Sequence, residues 1–279
     1  MLHDAGIGAR LPRIAMRFAT CAALALAAAA ACAATADVAR AATADVARAA
    51  TADVARETRW AEQIVPQLVV GDAVWLVTRR HPRVLALYTE PAKATREAVV
   101  VVHGMGVNPD WNLIGVLRTS LADRGFATLS VQMPVLAADA PRDGYGALFP
   151  DAGERLASAV AWLRGKGYAR IAIVSHSMGS AMTDAWLATA PPPGVDAWVP
   201  VGMMDPFTVP PRQPIFDVVA ERDFPEALVA SKARKAQLPR DGCSGALVVS
   251  GTDHYFGDAA PRLAEAIAPF IARALGGSC

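Results

Sequence analysis

The sequence predicts an α/β fold: a mostly parallel central sheet with helices on both faces and antiparallel strands at its N-terminal side. Three observations carry this expectation. From residue 98 onward, short runs of Val, Ile, Leu and Ala alternate with segments of helical spacing, the pattern of β–α units wound around a parallel sheet. The first of these runs, Ala98-Val-Val-Val-Val102, is apolar without alternation, as expected of a strand covered on both faces. Ahead of it, three short β-like runs are separated by gaps too short for a helical crossover, so those strands should pair antiparallel.

Composition sets the outer limits. A chain of 279 residues with 53% apolar residues and a net charge of +1 is globular in type. No basic block follows the N-terminal leader, so nucleic acid is not an expected partner. There is no CxxC pair and no HExxH, so neither a metal nor another cofactor is expected.

Taken in order, residues 1–33 read as a signal peptide. Arg10, Arg13 and Arg17 precede an uncharged run from Phe18 to Ala36, with Ala31-Cys-Ala33 as a cleavage option. The run is mostly Ala, too weakly apolar for a stable membrane span. Ala29-Ala-Ala-Cys32 resembles a lipoprotein box without its usual Leu. A start at Met16 would leave a shorter leader. Cleavage would leave 24 basic and 25 acidic residues, with Cys243 and Cys279 as the remaining cysteines. The mature protein is expected to be exported, to the periplasm or the medium. Residues 34–57 repeat Ala-Thr-Ala-Asp-Val-Ala-Arg at 34–40, 42–48 and 50–56. A period of eight gives Val38, Val46 and Val54 no straight helical stripe. This segment is expected to be a surface linker, followed by one domain over 58–279.

Within that domain, 67–71, 73–77 and 84–88 read as strands, with His81 solvated in the turn between the last two. Further strands are expected at 98–102, 127–133, 170–174, 197–201, 215–219 and 246–250. Helices are expected at 111–123, 154–164, 178–190, 225–237 and 259–275, the last closed by Gly276-Gly277. The Ala-, Asp-, Pro- and Gly-rich segment 135–151 could form a lid.

The chemistry centres on Ser175-His-Ser177-Met-Gly179. A β run stops there and a helical pattern follows at once. Small-x-Ser-x-Gly between strand and helix is a nucleophile elbow, which presents one hydroxyl at the tip of a tight turn. Ser175 stands where Gly is more usual. Ser177 then needs a base. His103, His176 and His254 are the alternatives, and His254 is preferred because it follows the last strand and its loop can reach the elbow. A carboxylate must orient that imidazole. Asp223, one strand earlier, is preferred over Asp205, Asp253 and Asp217. Oxyanion donors are expected from the backbone N–H of Met178, at a helix N-terminus, and of Met105, in His103-Gly-Met-Gly106.

These motifs, with Glu221-Arg-Asp223 and Gly251-Thr-Asp-His254, resemble the α/β-hydrolase superfamily. From Trp60 onward the chain is similar to an uncharacterised group of exported bacterial α/β-hydrolases, related in turn to dienelactone hydrolase and lysophospholipase-like enzymes. The resemblance implies an α/β-hydrolase fold and a serine hydrolase, with Ser177, Asp223 and His254 as catalytic residues. The loops at that end carry Trp111, Met133, Tyr145, Phe149, Met203, Met204, Phe207, Phe224, Tyr255 and Phe256. They suggest a small-molecule ester or thioester with an apolar acyl or aryl group. The rival is a non-catalytic binding or envelope-assembly protein on the same scaffold, which would show a broken triad or a plugged pocket. In such a fold Cys243 and Cys279 lie near each other, away from the site, where a disulfide is reachable.

Overall fold

A computed structural model describes residues 51–190 and 193–279. The expected leader, and all of the repeat before residue 51, lie outside the described residues.

The chain enters through helix α1, Val54–Ile64, and a 3-10 turn, Val65–Gln67. Strands β1, Asp72–Leu76, and β2, Val84–Thr89, form a hairpin. Then come β3, Glu97–Val102; α2, Asn112–Asp123; β4, Ala127–Val131; and α3, Phe149–Gly165. Strand β5, Arg170–His176, feeds α4, Met178–Leu187. Strands β6, Ala197–Val201, and β7, Phe216–Arg222, lead to α5, Pro225–Lys235. Strand β8, Gly245–Asp253, and α6, Ala260–Gly276, close the chain.

Among the described residues these strands make one eight-stranded sheet in the order β1-β2-β4-β3-β5-β6-β7-β8. The pairs β1–β2 and β2–β4 are antiparallel and the rest parallel. Successive side chains of a strand face opposite ways, so β3 serves two cores. Val99 and Val101 pack with Leu113, Leu117, Leu263 and Ile267 of α2 and α6. Val100 and Val102 pack with Leu156, Leu163 and Met182 of α3 and α4. From β3 the chain winds to β4 on one side, then returns to β5 on the other. That reversal opens a crevice at the carboxyl ends of β3 and β5.

Several expectations shift. Residues 67–71 are not a strand: Pro66 sits in a 3-10 turn, Gly71 has φ 84°, and Val69 is 93% exposed. The linker boundary at 57/58 falls inside α1, whose N-cap is Asp53, accepting from the Arg56 N–H at 2.9 Å. The segment 135–151 is no free lid. Val135, Leu136, Tyr145 and Leu148 are buried, residues 142–148 form a 3-10 turn, and Phe149 already begins α3. His81 is not simply solvated: its Nε2 lies 3.0 Å from Asp151 Oδ2. Cys243 and Cys279 form a disulfide, joining the chain just ahead of β8 to the C-terminus beyond α6.

Candidate active site

Strand β5 ends at His176 and α4 begins at Met178, leaving Ser177 alone between them with φ 53° and ψ −122°. This dihedral pair is sparsely populated for a residue with a side chain and needs support from its surroundings. Support comes from close packing behind the turn. A Cβ on Gly179 would lie 2.3 Å from the His103 carbonyl oxygen, so only glycine fits. Ser175, the departure from glycine, uses its hydroxyl: it accepts from Trp198 Nε1–H at 2.8 Å and donates to Ser180 Oγ at 3.0 Å.

Strands β7 and β8 run further than expected and bring two more polar groups to the same rim. Asp223 directly follows β7 and His254 directly follows β8, where Arg222 and Asp253 pair across a bulge. His254 Nδ1 lies 2.6 Å from Asp223 Oδ1, and its Nε2 lies 2.9 Å from Ser177 Oγ. Both His254 and Asp223 are buried. Burial alone would raise the Asp223 pKa. The hydrogen bonds from His254 and from the backbone N–H groups of Ala220 and Phe224 outweigh it, holding the carboxyl below its usual range. The anion favours the Nδ1–H tautomer of His254, leaving Nε2 free to accept the Ser177 proton.

The alternative residues have other partners. His103 is fully buried. Its Nδ1–H donates to the Gly104 carbonyl at 2.8 Å, while its Nε2 accepts the Met133 N–H at 2.8 Å. Burial pushes its pKa down to about 4. His176, next to Ser177 in the chain, stays in contact with His254. Its Nε2–H donates to the His254 carbonyl at 2.9 Å, and its ring lies 4.8 Å from that of His254. Burial pushes its pKa down to about 4 as well. Asp205 pairs with Arg142 at 2.8 Å, Asp217 pairs with Arg234 at 2.9 Å, and Asp253 caps its own turn at the Tyr255 N–H.

Ser177 opens into a cavity of about 380 Å³, lined by Met105, Trp111, Met204, Phe224, Tyr255 and His254 among others. Of the residues expected at this end, Trp111, Met204, Phe224 and Tyr255 are thus on the cavity wall. Tyr145, Met203, Phe207 and Phe256 are buried in the core instead. Two charged residues that no sequence motif marks, Arg142 and Glu226, also line this cavity. Met178 is the first residue of α4, where helix N–H groups lack an intrahelical acceptor. Met105 borders the cavity from the loop after β3. Among the described residues no cluster of His, Cys, Asp or Glu could hold a metal ion.

A family profile described as "Protein of unknown function (DUF3530)" matches residues 13–152, half of the sequence. The chain belongs to this family. The match takes in α1 and His103-Gly-Met-Gly106 and stops short of Ser177, Asp223 and His254. No curated protein matches the sequence. Solved structures show the fold. Est1E from Butyrivibrio proteoclasticus is similar with a TM-score of 0.59 at 14% identity, over 73% of this chain and 99% of its own. Est1E with bound ferulic acid aligns with a TM-score of 0.58 at 14% identity, over 70% of this chain and 96% of its own. Dienelactone hydrolase from Anabaena variabilis aligns with a TM-score of 0.59 at 18% identity, over 73% of this chain and 97% of its own. The architecture is the α/β-hydrolase fold.

Proposed function

We propose that this protein is a serine hydrolase that cleaves carboxylic ester or thioester bonds. The observation that carries the reading is the hydrogen-bonded series Asp223, His254, Ser177 at the floor of an open cavity. Ser177 Oγ attacks the substrate carbonyl as its proton passes to His254 Nε2. Asp223 stabilises the imidazolium that forms. The oxyanion is received by the backbone N–H groups of Met178 and Met105, and each such donor is worth about 3 kcal/mol of barrier. His254 then returns the proton to the departing alcohol or thiol, and water, activated by the same imidazole, releases the acid.

The lining favours an apolar acyl or aryl group, held among Trp111, Phe224 and Tyr255. The ferulic acid held by Est1E is an aromatic acid of that type. Binding on an inactive scaffold would be favoured by a broken series or a filled cavity, and the described residues show neither. Export is part of the reading. The Arg-then-Ala leader suggests it, and the Cys243–Cys279 disulfide suits an oxidising compartment. No described helix is long and apolar enough to cross a membrane.

Steady-state hydrolysis of short p-nitrophenyl esters tests the reaction. Ser177→Ala should lower kcat by about a thousandfold or more. A variant as active as the parent would refute the mechanism.

A further inference from the structure

The loop that carries Met105 is held at both of its ends. In a trans peptide the carbonyl and the following N–H point in opposite directions, so fixing one carbonyl aims the next N–H. His103 Nδ1–H grips the Gly104 carbonyl at 2.8 Å, which sets the direction of the Met105 N–H. The Gly106 carbonyl is gripped from outside the sheet. Arg56 Nη2 donates to it at 3.0 Å, which sets the direction of the Val107 N–H. Gly104, Met105 and Val107 all line the cavity at Ser177.

Arg56 reaches a second loop with its other terminal nitrogen: Nη1 donates to the Leu136 carbonyl at 3.0 Å. Leu136 begins the segment that runs to Arg142, which lines the same cavity. One guanidinium therefore ties together the loops that follow β3 and β4. It is itself held, with its plane carbon 4.6 Å from the centre of the Trp60 ring. The helix beneath it is anchored on both sides: the Asp53 N–H donates to the Val135 carbonyl at 2.7 Å, and Glu57 pairs with the buried Arg155 at 2.8 Å. Arg56 is also the last residue of the third Ala-Thr-Ala-Asp-Val-Ala-Arg unit.

We propose that Arg56 is a positioning residue for the oxyanion loop, so that the final repeat unit ahead of the sheet is a working part of the site. It touches neither substrate nor Ser177. It acts through the Gly104–Val107 turn, whose donors matter only once negative charge develops on the substrate. The proposal rests on the hydrolase reading for its effect on rate, but not for its effect on the loop.

Arg56→Met keeps the length and apolar stem and removes the donors. Arg56→Lys retains a charge that can satisfy one carbonyl at a time. Arg59→Met, an exposed change on the same helix, is the control. Arg56→Met should lower kcat about ten- to fiftyfold with KM within about threefold, part of the loss expected when an oxyanion donor is misplaced. Arg56→Lys should fall in between, and Arg59→Met should match the parent. Amide hydrogen exchange, read on the same proteins, should quicken at 104–107 and 135–137 in Arg56→Met and stay unchanged in the sheet. Unchanged kcat and unchanged loop exchange would overturn the proposal, as would faster exchange spread evenly through the domain. Should Arg56→Met not fold, Arg56→Lys carries the same comparison. A parent inactive on every ester would sink the hydrolase reading alone, and the exchange data would still decide what Arg56 holds.

Discussion

His103 and His176 are two imidazoles buried without charge, and His176 lies 4.8 Å from a third, His254, which is hydrogen-bonded to Ser177. Their uncharged state follows from burial, which pushes both to about 4 from an ordinary value near 6.5. Between these two pH values the unfolded chain binds protons that the folded chain refuses. Stability from each ring is therefore complete above about pH 6.5 and is lost as pH falls toward 4, by up to about 3 kcal/mol per ring. Asp223, held below its usual range, loses its contribution only in stronger acid. Urea unfolding at pH 7.5 and 5 should show lower stability at pH 5, with a smaller difference in His176→Gln. Equal differences in parent and variant would show that His176 is not kept neutral by the fold. At this scale the sequence was informative about position: Ser177, Asp223 and His254 were expected at one rim because each directly follows a strand, and they lie in hydrogen-bonded series there. The work of His103 and His176 was hidden, because their partners are backbone groups up to 78 residues away in sequence.

At the scale of the element, strands with continuous apolar runs were legible and α1 was not. Residues 98–102 and 170–174 were found because both faces are buried. Helix α1 buries little apolar surface, chiefly Ala61 against Leu85 and Leu87. Its place is secured by polar contacts of Asp53, Arg56 and Glu57 with residues 106, 135, 136 and 155, and no periodicity records these. The disulfide belongs to this scale too. It closes a sequence separation of 36 residues between the start of β8 and the end of α6. Loop closure of that length is worth about 4 kcal/mol in the unfolded-chain entropy account, and native disulfides commonly deliver 2–4. The Cys243→Ser, Cys279→Ser double variant should lose stability in that range by denaturant unfolding while hydrolysing p-nitrophenyl esters at the parent's rate, as the proposed function expects, because both cysteines lie at the opposite end of β8 from His254. Loss of activity in a folded double variant would contradict this separation of roles.

Across the whole molecule, topology explains why a site exists where it does. The order β4-β3-β5 reverses the winding of the chain at β3, and the crevice this leaves receives the elbow after β5. The sheet then carries Asp223 and His254 to the same rim, directly after β7 and β8. That convergence was readable from chain order. The cavity's charged residues, Arg142 and Glu226, were not, because one sits in a 3-10 turn and the other in the first turn of α5, with no motif around either. On the proposed function Ser177 is an activated nucleophile, and a fluorophosphonate probe reads this without assuming a substrate. Peptide mass spectrometry of the labelled protein should find one phosphonyl adduct, on Ser177, lost in Ser177→Ala and strongly reduced in His254→Ala. A folded parent protein left unlabelled, or labelled at another residue, would contradict the account.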